Sequence, residues 1–173
     1  KDTAKTISTY SDIFLLRTTE HKKILDLKKY LKIPIINGLS PISHPVQVIS
    51  DIFTIEEIKK KKISGLNVTW IGDSNNVLNS LIHASYKFSF NLNIACPKQY
   101  KPKISLVKFN KEKKIKIYHD PATAIVNSDV VYIDKFISMN DKENKKNKIK
   151  KFRNFILNEK LMSKAKKNAI ILH

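Results

Sequence analysis

Short apolar runs, each followed by a longer amphipathic stretch, recur along the whole of this chain. They stand at 11–17, 33–36, 67–71, 91–95, 114–118, 129–133 and 169–172. A strand buried on both faces is apolar throughout, not only at alternate positions, and two parallel strands need a long crossover between them. The alternation therefore predicts an α/β fold of two lobes, each a parallel sheet flanked by helices. Helices are expected at 1–8, 18–31, from Pro45 to about 58, and at 77–86, 121–126, 141–157 and 161–167. The lysine cluster 59–62 reads as a solvated connection. It divides the chain into 1–58 and 64–173.

The stretch 33–55 is the richest in chemistry. Its strand is interrupted by Pro34, and Asn37-Gly38 reads as a turn. A helix then starts at Pro45, where the missing N–H costs nothing because the first turn has no acceptor for it. His44 sits at the cap and Gln47 lies three residues on, so both can face the same side of the helix mouth. An imidazole, an amide and the positive end of a helix dipole suit an anion or a polarised carbonyl oxygen. They equally suit an ordinary strand–turn–helix with a capping histidine. Arg17 closes the first apolar run, at the strand end where α/β proteins place ligand contacts, and also where a plain surface arginine would stand. His21 reads as solvated.

Composition narrows the classes. Lys and Arg number 33 against 15 Asp and Glu, a formal net charge of +18. Yet the lysines are scattered through every segment, and the arginines are only Arg17 and Arg153. A nucleic-acid surface concentrates its cations and interleaves aromatics, so this charge reads as lysine filling solvated faces, with weak, salt-sensitive adhesion to polyanions. One cysteine, Cys96, rules out an internal disulfide framework and suits a reducing, cytoplasmic compartment. No apolar run is long enough to span a membrane, and no signal peptide opens the sequence. Gly72 stands alone, without a dinucleotide fingerprint, so dinucleotide binding is unsupported.

Read together, Asn37-Gly38-Leu39-Ser40, His44-Pro45-x-Gln47 and Asp51-x-x-Thr54 resemble the aspartate/ornithine carbamoyltransferase family, and within it the ornithine-using members. The likeness continues in order through Trp70-Ile71-Gly72-Asp73-Ser74-Asn75-Asn76-Val77-Leu78-Asn79-Ser80, Val131-Tyr132-Ile133-Asp134, Ser138-Met139 and Ile171-Leu172-His173. The resemblance implies transfer of a carbamoyl group from carbamoyl phosphate to the side-chain amine of L-ornithine, giving citrulline and phosphate. Arg17, His44 and Gln47 match the family's carbamoyl-phosphate contacts, with Arg17 and His44 the catalytic donors. His44 is expected to act as a donor, since a cationic site resists a second positive charge. Asn76, Asp134, Ser138 and Met139 match the ornithine contacts, Asp134 pairing with the α-ammonium. The family builds its sites at the subunit boundaries of a homotrimer, without cofactor or metal.

The sequence also departs from the family pattern. No Ser-x-Arg-Thr-Arg phosphate loop is present, and the His-Cys-Leu-Pro segment survives only as His173; Cys96 is not its cysteine. Phe136 replaces the usual Trp, with Lys135 beside it. Asn140 replaces a Gly, and Pro41 an acidic residue. These features imply an internal fragment, truncated at both ends and inactive by itself. They leave room for another amine substrate, such as putrescine or aspartate, or for a non-catalytic relative.

Overall fold

The computed structural model describes residues 1–107, 114–136 and 144–173. In chain order its elements are α1 (Asp2–Ile7), β1 (Phe14–Arg17), α2 (His21–Lys28), β2 (Ile35–Leu39), α3 (Pro45–Lys59), β3 (Asn67–Ile71), α4 (Asn76–Phe88) and β4 (Asn91–Ala95). There follow α5 (Ile104–Val107), β5 (Ile115–Tyr118), α6 (Pro121–Ala124), β6 (Val130–Ile133), α7 (Lys145–Phe152), α8 (Glu159–Met162) and β7 (Ile170–Leu172). Single 3-10 turns stand at Lys98–Tyr100 and Arg153–Phe155. Two compact units emerge, Lys1–Ser50 with Asn75–Leu81, and Asp51–Ser74 with Ile82–His173.

In the first unit β1 and β2 pair in parallel, Phe14 opposite Ile35 and Leu16 opposite Asn37, with the register shifting between Leu16 and Arg17. Asn37 and Gly38 are therefore strand residues, not the expected turn. The glycine is needed for close approach: a Cβ on Gly38 would come within 2.5 Å of Leu15 Cδ2 on the paired strand. The first strand is also shorter than the apolar run, covering only its last four residues.

The second unit is a five-stranded parallel sheet in the order β5-β4-β3-β6-β7. Counting that sheet's strands by appearance gives 3-2-1-4-5, the doubly wound order, with its switch point between β3 and β6. Val68, Trp70, Leu92, Ile94, Val130 and Tyr132 are buried along one face, with Trp70 and Tyr132 stacked at 6.1 Å. The other face joins Ile71, Ala95 and Val131 to Ala124, Ile125, Phe152, Phe155 and Leu161. Burial on both faces is why these strands read as unbroken apolar runs.

Two polar residues on that second face have a specific task. The short α6 is capped by Asp120, whose carboxylate accepts from the N–H groups of Ala122 and Thr123. At its other end, the Ala124 carbonyl accepts from Thr69 Oγ1 at 3.1 Å and Asn93 Nδ2 at 2.9 Å. A helix's last carbonyls lack intrahelical donors, so the sheet supplies them.

Asp129 ties the opening of β6 to its surroundings. Its carboxylate accepts from Asn67 N–H at 2.9 Å and from Lys166 Nζ at 2.9 and 3.0 Å. Burial pushes its pKa up, but the Asn67 N–H and the Lys166 ammonium outweigh burial and hold the carboxyl below its usual value. Its ionised form is thus favoured by folding. That stabilisation is complete above the unfolded-state pKa of about 4 and is lost as pH falls through the lower folded value. Asp129→Asn is expected to lower the thermal midpoint at neutral pH and to flatten its decline in acid, as a pH series of melts followed by circular dichroism would check.

Candidate active site

The first unit gathers three of the expected residues around one loop. Arg17 ends β1 and is exposed. The next residue, Thr18, donates its N–H to Leu39 O, so the ends of β1 and β2 lie side by side. From Leu39 the chain enters a tight loop closed by Ser40 N–H to Ser43 O at 2.9 Å. Ser40, with no exposed surface, is its hub. Its Oγ lies 2.9 Å from His21 Nδ1, accepts from Asn37 Nδ2 at 3.3 Å, and accepts the Ser43 N–H at 3.3 Å. His21, expected in solvent, is thus a buttress of this loop.

The loop delivers His44 to the start of α3, and Gln47 into the first turn of that helix. His44 is half-buried and Gln47 exposed. The His44 backbone N–H donates to Ser80 Oγ at 2.8 Å, which fixes the residue from the main chain. Asn76 opens α4. Its amide donates to Ser40 O at 2.9 Å, while Asn75 caps the helix by accepting from Val77 and Leu78 N–H. An arginine, an imidazole and a carboxamide near strand ends and the positive end of the α3 dipole can bind an oxyanion and stabilise charge developing on a carbonyl oxygen. The sequence reading assigned nothing to Ser40, His21 or Ser80. Only the positions of Ser40 and Ser80 inside motifs shared with the family hint at a role.

The second unit offers a carboxylate at its switch point. Ile71 of β3 pairs with Ile133 of β6, so Gly72-Asp73 and Asp134 leave the sheet side by side at its carboxyl edge. That edge is where open α/β sheets bind ligands. Asp134 is half-buried, and its Oδ1 accepts the Lys135 N–H at 2.7 Å. Lys135 itself is exposed. Phe136 stacks on Phe152 at 4.8 Å, so a phenyl ring suffices for packing there. Ser138, Met139 and Asn140 lie outside the described residues. Cys96 is buried, and burial first, then the Asp73 carboxylate, pushes its thiol up to about 12. A thiolate nucleophile is not available at that value.

Two family domains match successive parts of the chain. The carbamoyl-P binding domain of aspartate/ornithine carbamoyltransferase matches residues 1–57, and the Asp/Orn binding domain matches 64–173. The chain belongs to the aspartate/ornithine carbamoyltransferase family. Among its relatives, the ornithine carbamoyltransferase of Methanocorpusculum labreanum is 40% identical over 174 residues, covering 99% of this chain and 57% of that protein. The crystal structure of the anabolic ornithine carbamoyltransferase of Campylobacter jejuni matches with a TM-score of 0.91 and 38% identity, over 99% of this chain and 59% of that one. The Pyrococcus furiosus ornithine carbamoyltransferase follows at 0.89 and 37%, over 98% and 56%. This carbamoyltransferase-family chain thus spans a little over half the length of the relatives it matches. Among its described residues no helix is long and apolar enough to cross a membrane.

Proposed function

We propose that the protein carrying this chain is an ornithine carbamoyltransferase, with 1–58 serving carbamoyl phosphate and 64–173 serving L-ornithine. The observation that carries this reading is the match of nearly all of this chain, at 40% and 39% identity, to a little over half of proteins named ornithine carbamoyltransferase. The geometry supports it with a donor set in one unit and a switch-point carboxylate in the other.

In this reading Arg17 binds the phosphate and the carbonyl oxygen, His44 donates to the carbonyl oxygen, and Gln47 holds the carbamoyl amide. The ornithine side-chain amine attacks the carbonyl carbon. A C–N bond forms, negative charge gathers on the carbonyl oxygen, the nitrogen gives up a proton, and the C–O bond to phosphate breaks. Donors fixed in advance at that oxygen stabilise the charge without reorganising. Asp134 and Asn76, with Ser138 and Met139, hold the amino-acid end so that the amine meets the carbon in line. The assembled protein acts as a homotrimer, in the cytoplasm, in arginine biosynthesis.

The test is citrulline formation by the full-length protein from carbamoyl phosphate and ornithine, with putrescine and aspartate as competing acceptors. Carbamoylation of ornithine at a kcat/KM far above the other two supports the reading. Carbamoylation of putrescine or aspartate alone, or of no acceptor by a folded protein, overturns it.

A further inference from the structure

Among the described residues, Lys148 is the only lysine that is buried. Its side chain is 2% exposed, in a chain whose other described lysines reach solvent. It lies on α7, one turn before the core residue Phe152, and pairs with Asp73, whose side chain is 13% exposed. Its ammonium stands 5.3 Å from the centre of the Tyr100 ring, which packs on Phe152 at 4.8 Å.

A buried ion pair is a poor way to gain stability, because desolvation of both charges offsets their attraction. Its value lies in holding something in one place, and here it holds the loop leaving β3 at the switch point. Asp73 engages both carboxylate oxygens, Oδ2 with Lys148 and Oδ1 with the Ser74 N–H at 2.7 Å. Its carbonyl accepts from Trp70 Nε1 at 3.1 Å, and Ser74 Oγ donates to Tyr100 O at 2.7 Å. The loop is pinned at three points, and Lys148 is the pin that comes from α7. From Ser74 the chain passes directly into Asn75 and Asn76. Through the β3–β6 pairing, the loop also starts beside Asp134.

We propose that Lys148 is a positioning residue for the amino-acid half of the site, acting through Asp73. This rests on the carbamoyl-transfer reading above for its kinetic consequence, though not for its structural one. With Lys148 removed, Asp73 loses its counter-ion, the 72–75 loop relaxes, and the space beside Asp134 at the carboxyl edge of the sheet loses its shape. Carbamoyl phosphate contacts at Arg17, His44 and Gln47 are not carried by this loop.

The experiment compares Lys148→Met, Lys148→Arg and the double variant Asp73→Asn/Lys148→Met in the full-length protein. Lys148→Met is expected to raise KM for ornithine by about tenfold or more and to leave KM for carbamoyl phosphate within about twofold. Lys148→Arg, which keeps the charge, is expected to restore most of the loss. The double variant removes both charges, so its thermal midpoint recovers while its ornithine KM stays high. An unchanged ornithine KM in Lys148→Met, or an ornithine KM that recovers with the thermal midpoint in the double variant, overturns the proposal. If the unmodified protein makes no citrulline, it is the functional reading that fails. Amide hydrogen exchange across 72–76 then decides: faster exchange confined to that loop in Lys148→Met supports the proposal, and unchanged exchange refutes it.

Discussion

His44→Ala is expected to lower kcat for carbamoyl transfer by about 10²–10³-fold, the usual cost of removing one preorganised donor from a developing oxyanion. The expectation comes from how the residue is held. Its place is set by the main chain: its N–H donates to Ser80 Oγ, and its carbonyl accepts the Val48 N–H as α3 begins. Alanine keeps both bonds, so the loop and the helix start should survive the substitution. What disappears is the imidazole at the positive end of a helix of 15 residues. A thermal midpoint near that of the unmodified protein, with KM for carbamoyl phosphate changed much less than kcat, would mark a donor acting mainly in the transition state. His44→Asn keeps a short donor and should fall between the two. Equal kcat in His44→Ala and the unmodified protein would remove His44 from the reaction.

The alternation of apolar runs and amphipathic stretches gave the parallel α/β class, and β3 and β4 run over the residues expected of them. Apolar runs report burial on two faces, so central strands are the ones most clearly written. The misreadings share a cause: each residue's role is set by a neighbour distant in sequence. Gly38 reads as a turn glycine until Leu15 is seen beneath it. His21 reads as solvated until the loop brings Ser40 to it across 19 positions. Asn93 and Thr69 look out of place in buried strands until α6 presents its last carbonyl.

The charged helix near the end of the chain is the clearest case. Its lysines read, like those elsewhere in the chain, as filling a solvated face. In the structure Ile149 is 51% exposed, and the neighbouring Lys148 faces the core on the same side as Phe152. Helical residues four apart share a face, so burying Phe152 also buries position 148. A lysine is tolerated there because Asp73 meets it from the end of β3. Nothing in the local sequence announces that partner, 75 residues away. Of the candidate site, the residues legible in advance were those at strand ends and helix starts, where the fold class itself marks positions. The buttresses behind them were not, since a buttress is defined by what it touches.

Asp134→Asn is expected to raise KM for ornithine by about 10²-fold, in the range for losing one partner of a desolvated charge pair. The change is nearly isosteric. Asn Oδ1 can still accept the Lys135 N–H that Asp134 accepts at 2.7 Å, so the turn after β6 keeps its shape. The lost element is the negative charge beside Gly72-Asp73 at the switch point. If that charge pairs with the α-ammonium of an amino acid, the penalty falls on ornithine alone. 5-Aminopentanoate carries the same reacting amine and the carboxylate of ornithine but lacks the α-ammonium. Its poor turnover should therefore change by a small factor, and the ratio of the two kcat/KM values should collapse toward parity. KM for carbamoyl phosphate should stay in place, because no contact assigned to it lies on β6. An equal loss with both amines would mean that Asp134 serves the reacting amine or the fold. Selectivity for the α-amino group would then have to come from elsewhere along the carboxyl edge of the sheet.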